Sequence, residues 1–338
     1  MHGKQSGGCQ PSYPAPLDGT QILSRIVFRM HQLKKPLWIL RLSKTYLRQI
    51  RRRFSAFFIS DRSYIERQYQ RSFGISPNLD NPTTFNEKLQ WLKLHSRDPL
   101  LPICADKWRV RDFVSERVGA RYLNELYKSY DDVKDISFSD LPDQFVLKVN
   151  HGSGQNILVS DKKKLNESRC NAKLRQFLSA NHYYGGREWA YKNIHPKIIC
   201  ERLMSINGLA PDDYKFFCFQ GVPRLIQVDV DRFGTHARDM FDTDWNLIPV
   251  EYVHSNSARP VGKPVNLNEM LDVSRSLADG FPFVRVDLYA YERQIIFGEM
   301  TFYPENAVGN FRPNSFDRKL GDWLDITQLS WQLASDNT

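Results

Sequence analysis

Two short apolar runs, Phe145 to Val149 and Ile157 to Val159, flank a small polar loop, and this pattern strongly constrains the fold around it. Both runs are rich in the β-branched and aromatic residues that suit strands, while Gly152 and Gly154 loosen the backbone between them. The spacing predicts a hairpin with a flexible tip. Lys148 stands at its base. Backbone N–H groups beside two glycines, with a lysine at hand, suit a phosphate. A plain surface hairpin reads the same way, and the loop matches neither the G-x-x-x-x-G-K-[ST] phosphate loop nor the dinucleotide fingerprint.

Short-turn pairing recurs downstream. Asp213 to Phe219 turns through Gln220-Gly-Val-Pro223 into Arg224 to Val230, and Phe283 to Tyr289 turns through Tyr291-Glu-Arg293 into Gln294 to Thr301. Leu126 to Tyr130 is a further strand, as is Lys197 to Met204, which changes from apolar to charged at Glu201. Thr84-Phe-Asn-Glu87 is a capping box, opening a helix that continues through Leu94. A second helix is expected from Ala105 to Val118, capped by Asp106 and ended by Gly119, with others at Ser168 to Ala180 and Leu267 to Ala278. The class is α+β, with antiparallel sheets and flanking helices, and no internal repeat stands out.

At 338 residues, with 41% hydrophobic and 13% aromatic content, the chain has ample material for a core. Its net charge of +9 is unevenly spread: residues 1–60 hold eleven of the 47 Lys and Arg and one of the 38 acids, leaving 36 bases against 37 acids elsewhere. This is a nearly neutral body with a basic arm, so nucleic acid is not the favoured partner. Cys9, Cys104, Cys170, Cys200 and Cys218 are scattered without a C-x-x-C pair, which indicates neither a zinc site nor a disulfide framework and fits a reducing cytoplasm. No run approaches the roughly 20 apolar residues of a membrane span, and the first twenty residues do not read as a signal peptide.

Residues 1–20 read as a disordered lead, 21–74 as a basic amphipathic helical arm broken near Pro36, 75–325 as the folded body and 326–338 as a tail. Between Ile22 and Phe54 apolar residues interleave with ten Lys and Arg, ending in Arg51-Arg-Arg53. Such a helix suits an anionic membrane surface; a solvated basic helix packed on the body fits equally.

The chemistry concentrates in the last hairpin. Arg285 and Asp287 alternate on one strand, and Glu299 and Thr301 on the next, so each pair shares a face. If the strands pair as the turn suggests, a carboxylate from each converges beside an arginine, an arrangement that Mg²⁺ and phosphates complete. The alternative is the wet face of a surface hairpin.

In this order and spacing, Lys148 before the glycine loop, Ile198-Ile-Cys-Glu201, Asp213-Tyr-Lys215, Arg285-x-Asp287 and Glu299-x-Thr301-x-x-Pro304 resemble the ATP-grasp superfamily. More narrowly, Asn81-Pro-Thr-Thr-Phe-Asn-Glu-Lys-Leu-Gln-Trp91, Ala105-Asp-Lys107, Asn150-His-Gly-Ser-Gly154, Asp213-Tyr-Lys-Phe-Phe217, Asp229-Val-Asp-Arg232 and Gly298-Glu-Met-Thr-Phe-Tyr-Pro304 resemble the TupA-like, teichuronopeptide-biosynthesis type over about residues 75–325. That resemblance implies an ATP-grasp fold with a nucleotide cleft, and ATP and Mg²⁺ as cofactors. It implies that Lys107 and Lys148 contact nucleotide phosphates, that Gly152, Ser153 and Gly154 close over them, and that Glu201 and Asp213 read adenine and ribose. It gives Asp287, Glu299 and Thr301 to the metal, and Arg285 with Lys215 to the transferring phosphoryl group. Thr301 departs from the asparagine usual at its position.

The implied reaction is ATP-dependent ligation of a carboxylate to an amine through an acyl phosphate, in bacterial surface (capsular or teichuronopeptide-like) polysaccharide synthesis. Its substrates would be a carboxylate-bearing sugar or polysaccharide precursor and an amine, and its location the cytoplasm or the inner face of the cytoplasmic membrane. A sugar kinase would use the same nucleotide site. A glycosyltransferase would need a nucleotide-sugar site, often with a D-x-D metal motif; Asp229-Val-Asp231 is such a tripeptide, a weak pattern in a strand of alternating residues.

Overall fold

The computed structural model describes residues 37–205, 211–230, 236–327 and 329. The expected disordered lead, the arm before Leu37 and most of the tail lie outside the described residues. Residues from Tyr46 onward form the main compact unit.

Helix α1 (Leu37–Ser55) begins one residue after Pro36, where the broken periodicity predicts a new start. Helix α2 (Asp61–Phe73) is capped by the Ser60 hydroxyl and ended by Gly74 at φ 75°, and it buries Ile65 and Tyr69. Arg187 secures it from the body, lying 3.2 Å from Asp61 and stacking over the Tyr64 ring at 4.3 Å. Helix α3 (Phe85–His95) forms the expected capping box. Glu87 reaches beyond it, accepting from the backbone of Asn78, Thr83 and Thr84.

The second predicted helix, Ala105 to Val118, is shorter than expected and is preceded by another. Helix α4 (Leu100–Ala105) precedes a break, and α5 (Val110–Val118) starts later than expected. The reason is Asp106, whose extended backbone stops the first helix while its carboxylate accepts from the N–H groups of Trp108 and Arg109. The turn between them holds Lys107.

Strands β1 (Leu126–Tyr130), β2 (Phe145–Val149), β3 (Asn156–Val159) and β4 (Ile198–Glu201) make an antiparallel sheet in the order β1-β4-β2-β3. Helix α6 (Glu167–Leu178) packs against β2 through Cys170 and Leu174, and a short helix, α7 (Tyr183–Gly186), follows. The larger sheet runs β11-β10-β5-β6-β7-β8, also antiparallel, from β5 (Asp212–Phe219), β6 (Val222–Val230), β7 (Ala237–Phe241), β8 (Leu247–Ile248), β10 (Phe283–Tyr291) and β11 (Gln294–Thr301). Strands β9 (Glu251–Tyr252) and β12 (Phe311–Arg312) form a small pair, while α8 (Leu267–Ala278) and α9 (Ser315–Trp323) cover the large sheet and α3 respectively.

Each sheet has its own core. The larger centres on Phe85, which meets Phe283 edge-on at 4.9 Å and lies near Phe217, Phe219 and Phe311. Full burial of one such ring is worth about 1.5–3 kcal/mol, so Phe85 fastens α3 to the sheet. The described cysteines are free and buried, and burial pushes the Cys104 and Cys200 thiols up to about 12. No helix among the described residues is long and apolar enough to cross a membrane.

Candidate active site

The two sheets face one another across a cleft of about 480 Å³. The β2–β3 hairpin contributes Lys148, Ser153 and Gly154, and the large sheet contributes Asp213, Lys215, Asp229, Arg285, Asp287, Glu299 and Thr301. Lys107 enters from the turn between α4 and α5. Of the expected site residues only Gly152 and Glu201 do not line this space. Glu201 borders a small recess beside it, shared with Lys107 and Lys148, and the Gly152 carbonyl accepts from Lys107 Nζ at 2.8 Å.

The hairpin pairs as its turn predicts: Asp287 lies opposite Glu299, and Arg285 opposite Thr301. Past Asp287 the register shifts, with Leu288 facing Phe297, so Gly298 is an extra residue in β11. A Cβ there would stand 3.0 Å from the Asp287 carbonyl and 2.9 Å from the Tyr289 ring, which suits only glycine. The bulge keeps Glu299 and Thr301 in the cleft while Phe297 and Met300 stay in the core.

This is no wet hairpin face, because Arg285 and Asp287 are buried. Arg285 donates to both Asp287 oxygens, Nε to Oδ1 and Nη2 to Oδ2, each at 2.7 Å, and to Thr301 Oγ1 at 3.1 Å. The Thr301 hydroxyl donates to Glu299 Oε1 at 3.1 Å, and Lys107 Nζ lies 3.2 Å from Glu299 Oε2. Burial opposes the Glu299 charge, but Lys107 and Arg285 outweigh it and hold the carboxyl down to about 2. Burial raises Asp287, with Glu299 and Asp213 adding to it against Arg285 and Lys215.

Lys148 pairs with the buried Glu201 at 2.8 Å, and Arg111 meets the other Glu201 oxygen at 3.0 Å. Lys215 lies between Asp213 and Asp229, the second at 3.3 Å. Asp106 explains why two separate motifs belong together: Asn150 Nδ2 donates to its carboxylate at 2.9 Å, and Lys107 N donates to the Asn150 carbonyl at 3.0 Å. The glycine loop and the Lys107 turn are thus one assembly. Within it Gly154 has φ +67°, and a Cβ on Gly152 would collide with Gln155 Oε1 at 2.2 Å.

Sequence reasoning missed a second cluster in the cleft. Arg238 Nε donates to Asp229 Oδ1 at 2.7 Å and its Nη1 to Glu305 at 2.9 Å, and His236 Nε2 lies 3.2 Å from Asp229. Burial opposes the charge of Asp229, yet Lys215 and Arg238 hold its pKa well below the ordinary carboxylate value. Asp231, the other acid of the D-x-D tripeptide, lies outside the described residues. Gln227 and Asp229 alternate on one face of β6, the signal that would have pointed here. Glu305, Asn306 and Ala307 hold left-handed φ values of 50°, 56° and 54°, which no composition rule foretells. Gln90 donates to the Asn306 and Ala307 carbonyls, and Lys93 Nζ donates to the Asn306 carbonyl and Oδ1, both at 2.7 Å, and to the Gly186 carbonyl at 3.1 Å. Burial pulls the Lys93 pKa down to about 7.

A family profile described as TupA-like ATP-grasp matches residues 87–325. The chain belongs to this family. Its two antiparallel sheets enclosing a charged cleft are accordingly an ATP-grasp fold. Similar solved structures include D-alanine–D-alanine ligase from Bacillus anthracis, at 17% identity over 59% of this chain and 57% of that one, TM-score 0.35. The ATP-grasp ligase PsnB complexed with minimal precursor is 10% identical over 60% of this chain and 53% of its own, TM-score 0.35. N5-carboxyaminoimidazole synthase from Aspergillus clavatus is 12% identical over 60% and 45%, TM-score 0.36. The chain spans little more than half the length of the first two. No curated protein matches it.

Proposed function

We propose that this ATP-grasp protein is an ATP-dependent carboxylate–amine ligase. The observation that carries the reading is the convergence of Asp287 and Glu299, opposite one another in one cleft, with Arg285, Lys107, Lys148 and Lys215 around them. In this reading Lys107 and Lys148 hold the nucleotide phosphates, the Gly152-Ser-Gly154 loop closes over them, and Glu201 and Asp213 take adenine and ribose. Arg285 and Lys215 compensate charge on the phosphoryl group in transit.

The donor set also fits Mg²⁺. Among the described residues no three His, Cys, Asp or Glu side chains gather as a metal cage, and Mg²⁺ characteristically takes one or two carboxylates plus substrate phosphates. Asp287 and Glu299 would hold it, with the Thr301 hydroxyl beside Glu299 as a further oxygen. Bound there, the ion would neutralise charge on the phosphates.

The reaction proceeds in two steps. A substrate carboxylate oxygen bonds to the γ-phosphorus as the bond to the β-phosphate oxygen breaks, giving an acyl phosphate and ADP. An amine nitrogen then attacks the acyl carbon, sheds a proton and expels phosphate, leaving an amide. A sugar kinase would stop after one transfer to a hydroxyl. The glycosyltransferase alternative is weakened because Lys215, Arg238 and His236 surround Asp229, leaving its carboxylate little room for a metal.

The setting we propose is bacterial surface polysaccharide synthesis, at the inner face of the cytoplasmic membrane. Phe54, Phe57 and Phe58 are 63%, 78% and 75% exposed beside Arg51, the mixture that favours an anionic lipid interface. Isothermal titration of the full chain with Mg·ATP and with UDP-sugars tests the enzymatic reading: tight Mg·ATP binding is expected, and binding of UDP-sugar alone would overturn it.

A further inference from the structure

Beside the cleft lies a second cavity of about 810 Å³, sharing the wall residues His182, Glu188 and Asn306 with it. Its far wall comes from α1 and α2, through Gln49, Arg52, Arg53 and Gln68, and these helices lie outside the family-matched segment 87–325. One wall of the cavity therefore comes from residues outside the family-matched segment.

We infer that this cavity receives a carboxylate-bearing oligosaccharide, the acid partner of the ligation, an inference that rests on the ligase reading of the adjoining cleft. The charge pattern is the first argument. Arg52, Arg53 and Lys192 line the cavity, and none of them pairs with a carboxylate among the described residues. In the cleft, by contrast, Lys107, Lys148, Lys215, Arg238 and Arg285 each already hold one. Among the described residues the only acid on the cavity wall is Glu188, buried and 3.3 Å from His182. A ligand carboxylate thus meets free cations without breaking an ion pair.

The shape of the wall supplies the second argument. Gln49, Gln68, Asn181 and Asn306 present amides, which donate and accept as sugar hydroxyls do. Among the described residues no lining residue belongs to a strand, so an extended peptide finds no sheet edge there to pair with. On the cavity wall beside the shared Asn306, Gly185 and Gly186 leave room: a Cβ on Gly185 would stand 3.4 Å from Arg52 Nη1, and one on Gly186 would strike Asn306 Oδ1 at 1.9 Å. Asn306 sits where the acid would pass from cavity to cleft.

The test is titration of the full chain with tetragalacturonate, maltotetraose and hexaglutamate, alongside Mg·ATP. Tetragalacturonate should bind in preference to the other two. The double variant R52Q/R53Q should lose that binding by about tenfold or more, the scale of one or two charge-assisted contacts. R48Q/R51Q removes the same charge from positions on α1 that do not line the cavity, and should bind as the wild type does. Lys192→Gln gives an independent reading if the arginine variant is unstable. No binding, equal binding of maltotetraose, preference for hexaglutamate, or equal loss in both arginine pairs would each overturn the inference. Mg·ATP affinity should be unchanged throughout. A wild type that binds tetragalacturonate but not Mg·ATP would remove the ligase reading and leave an acidic-sugar site; the converse would remove this site and leave the cleft.

Discussion

Asp287 and Glu299 face each other across the β10–β11 ladder; Arg285 pairs with both, and Lys107 adds a second cation on Glu299 alone. Two carboxylates this close repel unless cations intervene, and here the cations come from a neighbouring strand position and from a distant turn.

Asp287→Asn and Glu299→Gln keep shape and remove charge. In the wild type Mg²⁺ should tighten ATP binding; in either variant that tightening should largely vanish, with turnover down about 100-fold or more. Nucleotide titration with and without Mg²⁺ measures the first effect without needing the acceptor. A variant that keeps the full Mg²⁺ effect would remove its carboxylate from the metal set.

Lys148 and Glu201 should part company on mutation. Lys148→Met loses a partly exposed cation and should weaken ATP binding with little change in melting temperature. Glu201→Ala strands the Arg111 guanidinium beside a buried gap and should cost about 3 kcal/mol or more of stability. Thermal melts and titrations on both variants separate the two effects.

Lys93 makes a pH prediction whose sign is definite. Its pKa is about 7 folded against 10.5 as an ordinary lysine, so between those values the unfolded chain binds the extra proton and stability gains as pH rises. Below about pH 7 the burial penalty is constant. The difference in melting temperature between wild type and Lys93→Met should therefore shift in favour of the wild type from pH 7 to pH 10. A difference that stays flat would show that the lysine holds its proton throughout.

Gly321→Ala should destabilise the docking of α9 on α3. The added Cβ would lie 2.2 Å from the Thr83 carbonyl and 2.9 Å from Phe85 N, both backbone atoms that cannot swing aside. A loss of about 1–3 kcal/mol is expected by denaturant titration.

F57S/F58S tests the lipid contact. The substitutions leave every basic residue in place, so reduced flotation with anionic liposomes would assign binding to the exposed rings, and unchanged flotation would assign it to charge alone or to another surface.

Much of the cleft was legible because alternation on a strand is a local rule. Arg285, Asp287, Glu299 and Thr301 share a face for that reason, and short turns fixed which strands pair. The Gly298 bulge was not legible, since one extra residue changes nothing in the alternation of Glu299 and Thr301. Asp106 was read as the cap of the second helix, but Arg109 stands at that helix's N-terminus without a side-chain cap; Asp106 instead holds the turn before it, and its extended backbone ends α4 and displaces the start of α5. Arg238 and Glu305 were invisible because their pairing joins strand β7 to a turn 67 residues away, a contact set by tertiary packing alone.

The paired cations of the cleft make nucleotide binding an exchange of partners. In the proposed reading, phosphates of Mg·ATP would displace carboxylates from Lys107 and Arg285, and the ion would compensate the carboxylates set free. Free ATP would bring anions without that compensation, leaving Asp287 and Glu299 without their cations. On this reading the cleft would favour the metal complex over the bare nucleotide before any chemistry begins, and because little net charge would change hands, its affinity should vary only weakly with salt.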